Sequence, residues 1–581
     1  MPCATRARLT FVPVAISLMA LFNTTVSSRA IAGSGTADLR DLQGQMDAIA
    51  RLAREPRIVS AAGVTRDETP LLTLENPSPF DPTATERRMV IVGGLDGDES
   101  SARIVLDAVR WFKTTASARD RRNWVVSALP LADPRGHART RPYTFPPLRG
   151  FFDDAEQPES RYAWRWVTYQ APDLVVEVRA GHEMKIQGSM RQGAGQSDSL
   201  PAGSLAAAVA DESNGSGLGR VASMLVTARA SDGARMMRDV LSRAPDRRSA
   251  LRATIGHRIS REPLALARVL AERYPETPGM NYIPALAWVH TLKLASMIDD
   301  DSLRAKVLRQ VQPWVAREKP LFGDRIQLNV VAGTMIFAEL ARWRDPTGKA
   351  AAALAAEGVA RAVAEKAPGV SQYGAGWTDD MFMATVVPAR TATPQALDAA
   401  ARLLIEYARR LQRPDGLFNH AADAPAAWGR GNGFASFGLM ETLAVLPESH
   451  SARAPILDIY RRLMTGMTTQ QAPDGMWRQV VDVPGGYREE SVTAQMLTAM
   501  ARGIRLGWID TSYVPVVQRA WRALLAHILD DGTVVDVCTS TGAGPTRRYY
   551  LDRPAITGAD DRGGAMALGA ALEIYELSKS R

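Results

Sequence analysis

Two adjacent aspartates, Asp379 and Asp380, are the residues of this chain best suited to acid–base chemistry. They follow Trp377 and precede Phe382, at the start of an apolar run typical of a helix. Aromatic walls beside a carboxyl group disfavour its charged form and keep a proton on it near neutral pH. The segment predicts that Asp379 is a general acid for an acid-labile bond. The alternative is that Thr378 caps a helix and the acids only favour its positive amino end.

A glycine-rich segment, residues 428–434, is the second candidate for ligand binding. Its sequence, WGRGNGF, alternates glycine with Arg430, and arginine binds a carboxylate through two parallel N–H groups. Trp428 and Phe434 would offer flat apolar surfaces to a sugar ring. No strand pattern precedes the segment, so it does not match a phosphate loop. A plain tight turn before a helix is the alternative.

Asp-Gly turns recur in the C-terminal half. Their aspartates are Asp415, Asp474 and Asp531, which lie 59 and 57 residues apart. That period fits one pair of antiparallel helices with its loops. About five or six such pairs would close on themselves rather than extend as an open solenoid. The pattern predicts an α/α toroid with its loops at one end.

The loops that follow these turns carry polar and aromatic side chains. His420 lies after the first turn, and Trp477, Gln479 and Tyr487 lie after the second. Gathered at one end of a toroid, such loops would build a pocket of the size of a sugar. Taken alone, a loop histidine is alternatively a structural or merely exposed residue.

The N-terminal half shows a different pattern. Continuous apolar runs at residues 88–92, 124–129 and 173–178 predict buried strands. Residues 187–219 are rich in Gly, Ser and Ala and predict a surface loop or linker. Beyond about residue 276 strand patterns nearly vanish and amphipathic helical patterns prevail.

Length and composition indicate a soluble protein of more than one domain. The chain has 581 residues, 46% hydrophobic and 23% charged, which exceeds the usual size of one core and argues against disorder. Its net charge of +8 comes from scattered arginines, so we expect no nucleic-acid partner. A modest positive field suits an anionic substrate.

The first 32 residues indicate a cleavable signal peptide. A basic start precedes a short apolar core and a small-x-small cleavage site. We therefore expect a periplasmic or secreted protein, and no later segment has the pattern of a membrane span. Cleavage removes Cys3 and leaves Cys538, so no internal disulfide is expected. The predicted domains are an α/β domain at 33–275 and a helical domain at 276–581.

The C-terminal motifs together resemble the unsaturated glycuronyl hydrolases of glycoside hydrolase families 88 and 105, of which the second is the closer match. The resemblance runs from about residue 280 to the end of the chain. Seven short segments carry it in the family's order: 324–327 (DRIQ), 377–379 (WTD), 415–420 (DGLFNH), 428–433 (WGRGNG), 477–480 (WRQV), Tyr487 with Glu489 and Ser491, and 553–554 (RP).

The resemblance implies an (α/α)6 barrel that removes a 4,5-unsaturated uronic acid from the non-reducing end of oligosaccharides left by polysaccharide lyases. It implies a catalytic aspartate at Asp379, which protonates C4 of the vinyl ether while water adds at C5. It implies substrate contacts at His420, Trp428 and Arg430, with Asp324 as a less certain partner. The reaction that it implies needs neither a metal nor a cofactor. Because an arginine beside the acid would lower its pKa, we predict that Arg430 lies apart from Asp379.

Two positions depart from the family's pattern. Phe434 stands where tryptophan is frequent, and residues 560–563 (DDRG) replace an Asp-x-His-Gly pattern. Arg562 could add a second arginine for a carboxylate.

The N-terminal half resembles a metallocarboxypeptidase whose zinc site has been lost. Asp96 stands in place of the first zinc histidine, Glu99 is retained, and Arg179 stands in place of the second histidine. Such a site needs about three ligands; His182 is a possible substitute. We predict a non-catalytic module that packs on the barrel or binds polymer.

The sequence is consistent with three functions. The leading one is a secreted glycoside hydrolase of the unsaturated rhamnogalacturonyl hydrolase type. The others are a zinc carboxypeptidase or amidase acting through the N-terminal half, and a carbohydrate-binding protein without turnover in which Asp379 only caps a helix.

Overall fold

The computed structural model describes residues 39–135, 144–147, 158–188, 199–212 and 216–580. The predicted signal peptide, with Cys3, and part of the predicted loop 187–219 lie outside the described residues. Among the helices that the structure describes, none combines the length and the apolar character needed to cross a membrane.

A mixed β-sheet forms the centre of the N-terminal half, and in the described residues it has seven strands in the order β1-β2-β4-β3-β5-β7-β6. β3, β4, β5 and β7 are parallel to one another, and the strands at both edges pair in antiparallel fashion. The bounds are β1 Ile58–Val64, β2 Pro70–Glu75, β3 Arg87–Val92, β4 Trp124–Leu129, β5 Leu174–Ala180, β6 Lys185–Gly188 and β7 Ala222–Ala228. β3, β4 and β5 agree with the three predicted strands.

Successive side chains of a strand point to opposite faces of a sheet, and β3 shows which core each face meets. Met89 and Ile91 belong to a core closed by α1, α2 and α6. Val90 and Val92 belong to the main core, which extends through the whole helical half. One face of the sheet is thus buried against the helical half. The helices of the N-terminal half are α1 Leu39–Arg51, α2 Glu99–Thr114, α3 Ala118–Asn123, α4 Glu159–Tyr169, α5 Leu205–Ala210, α6 Gly233–Arg243 and α7 Ala250–Ile259.

The helical half is a closed ring of six inner positions, each packed against the next, with the last packed against the first. Two of the positions are filled by two short helices in succession. The inner helices are α9 Tyr282–Ile298, α11 Leu328–Gly333 with α12 Met335–Leu340, α14 Thr378–Met383 with α15 Val386–Thr391, α17 Gly429–Val445, α19 Glu490–Arg505 and α22 Asp561–Lys579.

Six outer helices surround this ring, which gives the (α/α)6 architecture. They are α8 Pro263–Arg273, α10 Asp301–Val315, α13 Pro346–Ala362, α16 Pro394–Leu411, α18 Arg453–Thr469 and α20 Val514–Ala526. α8 packs on α22 and α9, although it precedes the predicted boundary at residue 275. The remaining elements are α21 Arg547–Leu551, a 3₁₀ turn at Thr511–Tyr513, and the short strands β8 Glu365–Ala367, β9 Val370–Ser371, β10 Trp477–Arg478, β11 Arg488–Glu489, β12 Val534–Cys538 and β13 Ala555–Gly558.

The three repeated Asp-Gly turns have one structural purpose. In each, the aspartate accepts a hydrogen bond from the backbone two residues later. Gly416, Gly475 and Gly532 take φ values of 87°, 100° and 83°, which favour glycine. These three glycines pack on the outer helices α18, α20 and α8, respectively. The sequence period is therefore the period of the helix pairs.

Buried ion pairs join the inner helices near their carboxyl ends. Arg502 of α19 contacts Glu441 of α17 at 2.9 Å and Glu573 of α22 at 2.6 Å. Glu573 also lies 3.0 Å from Lys293 of α9, and Arg390 of α15 lies 3.0 Å from Glu441. Arg502 and Lys293 lower the pKa of Glu573 despite its burial. Five of the six inner positions are linked in this way.

Glu573→Gln should destabilise the fold by about 3 kcal/mol, because it strands buried cations. Since the folded-state pKa of Glu573 is lowered, its contribution exists above the unfolded-state pKa and is lost as the pH falls. The difference from wild type, measured by urea unfolding, should therefore shrink in acid. Asp458→Asn, which breaks the exposed pair with Arg462, should cost less than about 1 kcal/mol. Equal losses in both variants would contradict the prediction.

Candidate active site

Asp379 lies in the first turn of α14 with one carboxylate oxygen bound and the other open. His420 Nε2 is 3.0 Å from Asp379 Oδ2. Asp379 Oδ1 has no hydrogen-bond partner among the described residues, and the side chain is 14% exposed. The backbone N–H of Thr378 donates to the His420 carbonyl at 2.9 Å, which ties the two segments together. Asp379 can therefore present Oδ1 to a ligand.

Tyr550 fixes the hydrogen position on His420. Its hydroxyl lies 2.8 Å from His420 Nδ1 and accepts a hydrogen bond from the Gly544 N–H at 3.0 Å. The hydroxyl still has its own hydrogen to donate, and we assign that hydrogen to Nδ1, because this is the tautomer in which His420 Nε2 can donate to the Asp379 carboxylate. His420 Nε2 then carries a hydrogen and donates it to Asp379 Oδ2. When Asp379 is protonated, its proton therefore resides on Oδ1, the open oxygen.

Asp380 is separated from this arrangement. It is 3% exposed and accepts hydrogen bonds from the Tyr407 hydroxyl and the Gly376 N–H, both at 2.7 Å. Burial, reinforced by the nearby Asp379, raises the pKa of Asp380 to about 6. Asp380 holds the loop before α14, and Asp379 is the member of the pair that a ligand can reach.

The glycines of residues 428–434 allow α17 to pack closely on its neighbours. A Cβ at Gly431 would lie 2.6 Å from Thr378 Oγ1 of α14, and one at Gly433 would lie 1.9 Å from Gln495 Oε1 of α19. The segment is the first turn of α17 rather than a free loop. Glycine is needed here for the approach of other helices.

Arg430 is buried and bound to backbone oxygens. Its guanidinium donates to the carbonyls of Cys538 and Thr539 at 2.6 and 2.7 Å and lies 5.0 Å from the centre of the Trp428 ring. In the described residues it does not contact Asp379. Arg430 therefore fixes the end of β12 beside the site.

Arg562 is more open than Arg430. Its side chain is 15% exposed, 3.5 Å from Asp560, and it donates to the Cys538 carbonyl at 3.2 Å. Tyr282 lies close to both arginines and to Asp379. Burial raises the pKa of Tyr282 to about 12, Arg430 and Arg562 lower it, and Asp379 raises it. The amino ends of α9, α14, α17 and α22 thus meet around one volume.

Two aromatic residues of the predicted site lie in the wall behind Asp379. Trp428 is 1% exposed, and its ring lies 4.5 Å from that of His420. Phe434 is also 1% exposed and stacks on Phe382 with ring centres 6.0 Å apart.

The second loop contributes mainly supporting contacts. Gln479 donates to Cys538 Sγ at 3.0 Å and to the Tyr550 carbonyl at 3.2 Å. Tyr487 is buried, and burial raises its pKa, with Cys538 as a hydrogen-bond partner. Trp477 is fully buried and donates to the Met467 carbonyl.

Asp324 lies on an exposed loop directly before the inner helix α11 and has no side-chain partner in the part of the chain that the structure describes. Its place as a substrate contact stays a prediction.

Two residues of this region were not predicted. Tyr550 follows His420 by 130 residues, and its only sequence signal is the pair Tyr549-Tyr550. Glu490, in the first turn of α19, is fully buried, and neither of its oxygens has a partner in the described residues.

The predicted remnants of a zinc site do not assemble. Glu99 is half exposed and pairs with Arg103, whereas Arg179 pairs with Glu177 at 2.6 Å. Asp96 Oδ1 accepts from the Asp98 N–H, and His182 is exposed. No group of His, Cys, Asp or Glu side chains in the described ranges could hold a metal ion.

Comparison with known proteins places the helical half in a family. The model of "Glycosyl Hydrolase Family 88" matches residues 272–578, which is more than half of the chain. The chain belongs to glycosyl hydrolase family 88. The match does not reach the α/β half, so its resemblance to carboxypeptidases stays a prediction.

Three curated relatives extend this finding. "Protein Atu3128" of Agrobacterium fabrum is 32% identical over 161 residues, which is 24% of this chain and 68% of that protein. "Unsaturated rhamnogalacturonyl hydrolase YesR" of Bacillus subtilis is 24% identical over 318 residues, 49% of this chain and 80% of that protein. "Unsaturated 3S-rhamnoglycuronyl hydrolase" of Alteromonas sp. is 28% identical over 175 residues, 27% of this chain and 42% of that protein.

Solved structures of families 88 and 105 are also similar to the chain. A family 105 glycoside hydrolase of C. acetobutylicum has a TM-score of 0.48 and 18% identity, covering 54% of this chain and 98% of that one. A family 88 glycosyl hydrolase of Bacteroides vulgatus has a TM-score of 0.46 and 18% identity, with the same coverage.

Glu490→Gln should make the protein more stable than wild type at high pH. Burial, Glu489 and Asp560 raise the pKa of Glu490, and Arg430 lowers it less; the buried Tyr274 also faces it. A raised folded-state pKa means that stability is lost as the pH rises above the unfolded-state value, by up to about 1.4 kcal/mol per pH unit. Glutamine removes this loss.

The measurement is the melting temperature of both proteins from pH 5 to 8. The advantage of the variant should grow with pH. An advantage that is constant across this range would show that Glu490 does not carry a proton in the folded protein.

Proposed function

We propose that this protein is a glycoside hydrolase that removes a 4,5-unsaturated uronic acid from the non-reducing end of oligosaccharides produced by polysaccharide lyases. The observation that carries the proposal is the chain from Tyr550 through His420 to Asp379, which leaves Asp379 Oδ1 open. Family membership supports hydrolysis of a glycosidic bond. The names of two relatives support the unsaturated substrate.

Asp379 acts as general acid and then as general base. The proton on Oδ1 passes to C4, the double-bond electrons form the new C–H bond, and water adds to the cation at C5. The proton of that water returns to Asp379. The resulting hemiketal opens the ring by breaking the C5–O5 bond, and the hemiacetal left at C1 releases the remaining saccharide. His420 keeps its hydrogen bond to Oδ2 throughout.

The charge around the site suits an anionic sugar. The amino ends of α9, α14, α17 and α22 meet there, and helix amino ends carry partial positive charge. Arg562 is the better placed arginine for the uronate carboxylate, because Arg430 is already bound to two carbonyls. Arg430 lies behind the side chains that line the site and adds its positive charge to the potential there.

The proposal assigns no catalysis to the α/β half. Its Glu99 and Arg179 are engaged in ion pairs of their own, which favours a non-catalytic module over a zinc peptidase. The proposal also includes export to the periplasm or the cell exterior through residues 1–32.

Asp379→Asn should lower kcat by about a hundredfold or more, because asparagine cannot supply the proton. The measurement is the loss of ultraviolet absorbance of the substrate double bond, with disaccharides made by a pectate or heparin lyase. Asp415→Asn, on an outer turn, should keep wild-type turnover. Wild-type turnover in Asp379→Asn would end the proposal, and binding without turnover in wild type would favour the carbohydrate-binding alternative.

Tyr550→Phe should lower kcat by about tenfold, the worth of one hydrogen bond, with KM little changed. Without the hydroxyl, His420 can carry its hydrogen on Nδ1 and take the proton of Asp379 on Nε2, away from the substrate. Tyr549→Phe is the matched control, since the Tyr549 hydroxyl only accepts from the Gly542 N–H. Equal effects in both variants would exclude this role for Tyr550.

A further inference from the structure

A cavity lies in the α/β half, apart from the site around Asp379. It has a volume of about 830 Å3 and lies between the amino ends of β5 and β7 and the loop that leads into α7. Such a volume is in the range of ligand-binding clefts. None of the residues that line it takes part in the site around Asp379.

The rim of this cavity carries three exposed arginines, Arg220, Arg247 and Arg248, and one exposed carboxylate, Asp246. Arg247 has no side-chain partner in the described residues. Arg220 is 3.3 Å from the exposed Glu212, and pairs of that kind contribute little. Arg248 donates to the Ala84 carbonyl at 3.0 Å through one nitrogen. The rim therefore has guanidinium N–H groups free for an anion.

The wall behind the rim adds to this positive charge. Asp173 is buried and pairs with Arg252, and it accepts from the Arg88 and Ser249 backbone N–H groups. Arg88 is buried beside Arg252 and Arg248, and desolvation with their charges lowers its pKa to about 10. With the rim included, five arginines lie around four carboxylates, which are Asp81, Asp173, Glu212 and Asp246. A bound anion would offset the remaining positive charge.

We propose that this cavity is a second, non-catalytic binding site for the uronate residues of an acidic polysaccharide. The choice of a uronate chain rests on the proposed function of the barrel. Arginine binds a carboxylate through two parallel hydrogen bonds, so the three rim arginines suit a chain with one carboxylate per sugar. No aromatic side chain is among the lining residues in the described part of the chain, whereas single-stranded nucleic acids need such side chains for stacking.

The test is affinity electrophoresis of the full-length protein in native gels that contain polygalacturonate, with neutral dextran as the reference. Wild type should be retarded by polygalacturonate only. The variant R220Q/R247Q/R248Q should bind about tenfold more weakly. R220Q/R247Q, which keeps the Arg248 bond to Ala84, should show most of this loss. R103Q/R119Q/R122Q removes the same charge from α2 and α3 and should be retarded like wild type.

Wild-type retardation of the triple variant would overturn the proposal, as would an equal loss in the control, which would indicate net charge alone. Retardation by single-stranded DNA that is lost in the triple variant would assign the cavity to nucleic acid instead. Hydrolysis of short unsaturated disaccharides should be unchanged in every variant. If wild type does not hydrolyse them and the triple variant still loses retardation, the barrel proposal fails and the cavity remains a uronate site.

Discussion

The hydrogen bond between His420 and Asp379 is the contact on which the site depends, because it decides which carboxylate oxygen is free. It requires a hydrogen on His420 Nε2, which Tyr550 secures at Nδ1. Tyr550 lies in a segment that follows β12. Residues of the α/β half contact both this segment and β12. Arg165 of α4 is 3.0 Å from the buried Asp536, and Arg548 donates to the Thr65 carbonyl at 2.7 Å. Both halves of the chain thus hold the Tyr550 segment, which sets the position of the hydrogen on His420.

The barrel has opposite electrostatic ends. Inner helices direct their amino ends to Asp379, which favours an anionic ligand there. Their carboxyl ends surround a cavity of about 670 Å3 whose lining includes Lys293, Arg390 and Arg502. Cations near carboxyl ends offset the partial negative charge of the last carbonyls, and the buried glutamates Glu441 and Glu573 hold them in place. The excess of arginine in the composition is partly explained by this arrangement.

The sequence was informative where one local constraint dominates. The Asp-Gly turns were recognisable because only glycine readily takes their φ values, and their spacing predicted five or six helix pairs, of which the structure has six. The pair Asp379-Asp380 was recognisable as acids beside aromatic residues. Their division of roles was not, because it depends on Tyr407 and His420, which only the closed ring brings near. Tyr550 was missed for the same reason.

The role of Arg430 could not be predicted from its residue type alone. Arginine between glycines suggests a ligand-binding loop, but the glycines admit Thr378 and Gln495 from neighbouring helices, and the guanidinium meets carbonyls of β12. The outer helix α8 precedes the predicted boundary at residue 275 but packs on α9 and α22, because amphipathic character does not reveal which half a helix covers.

The contact between the two halves gives the α/β half a structural role beside the site. Arg488 is buried and lies 3.0 Å from Asp474, and it donates to the Ala61 carbonyl of β1 at 3.0 Å. Desolvation lowers the pKa of the neighbouring Arg478 to about 9. Buried charges of this kind destabilise a protein strongly when one partner is removed. The loop of Gln479 and Tyr487 is therefore anchored to the sheet by buried charges. Because Gln479 donates to the Tyr550 carbonyl, the α/β half also supports the segment that contacts His420.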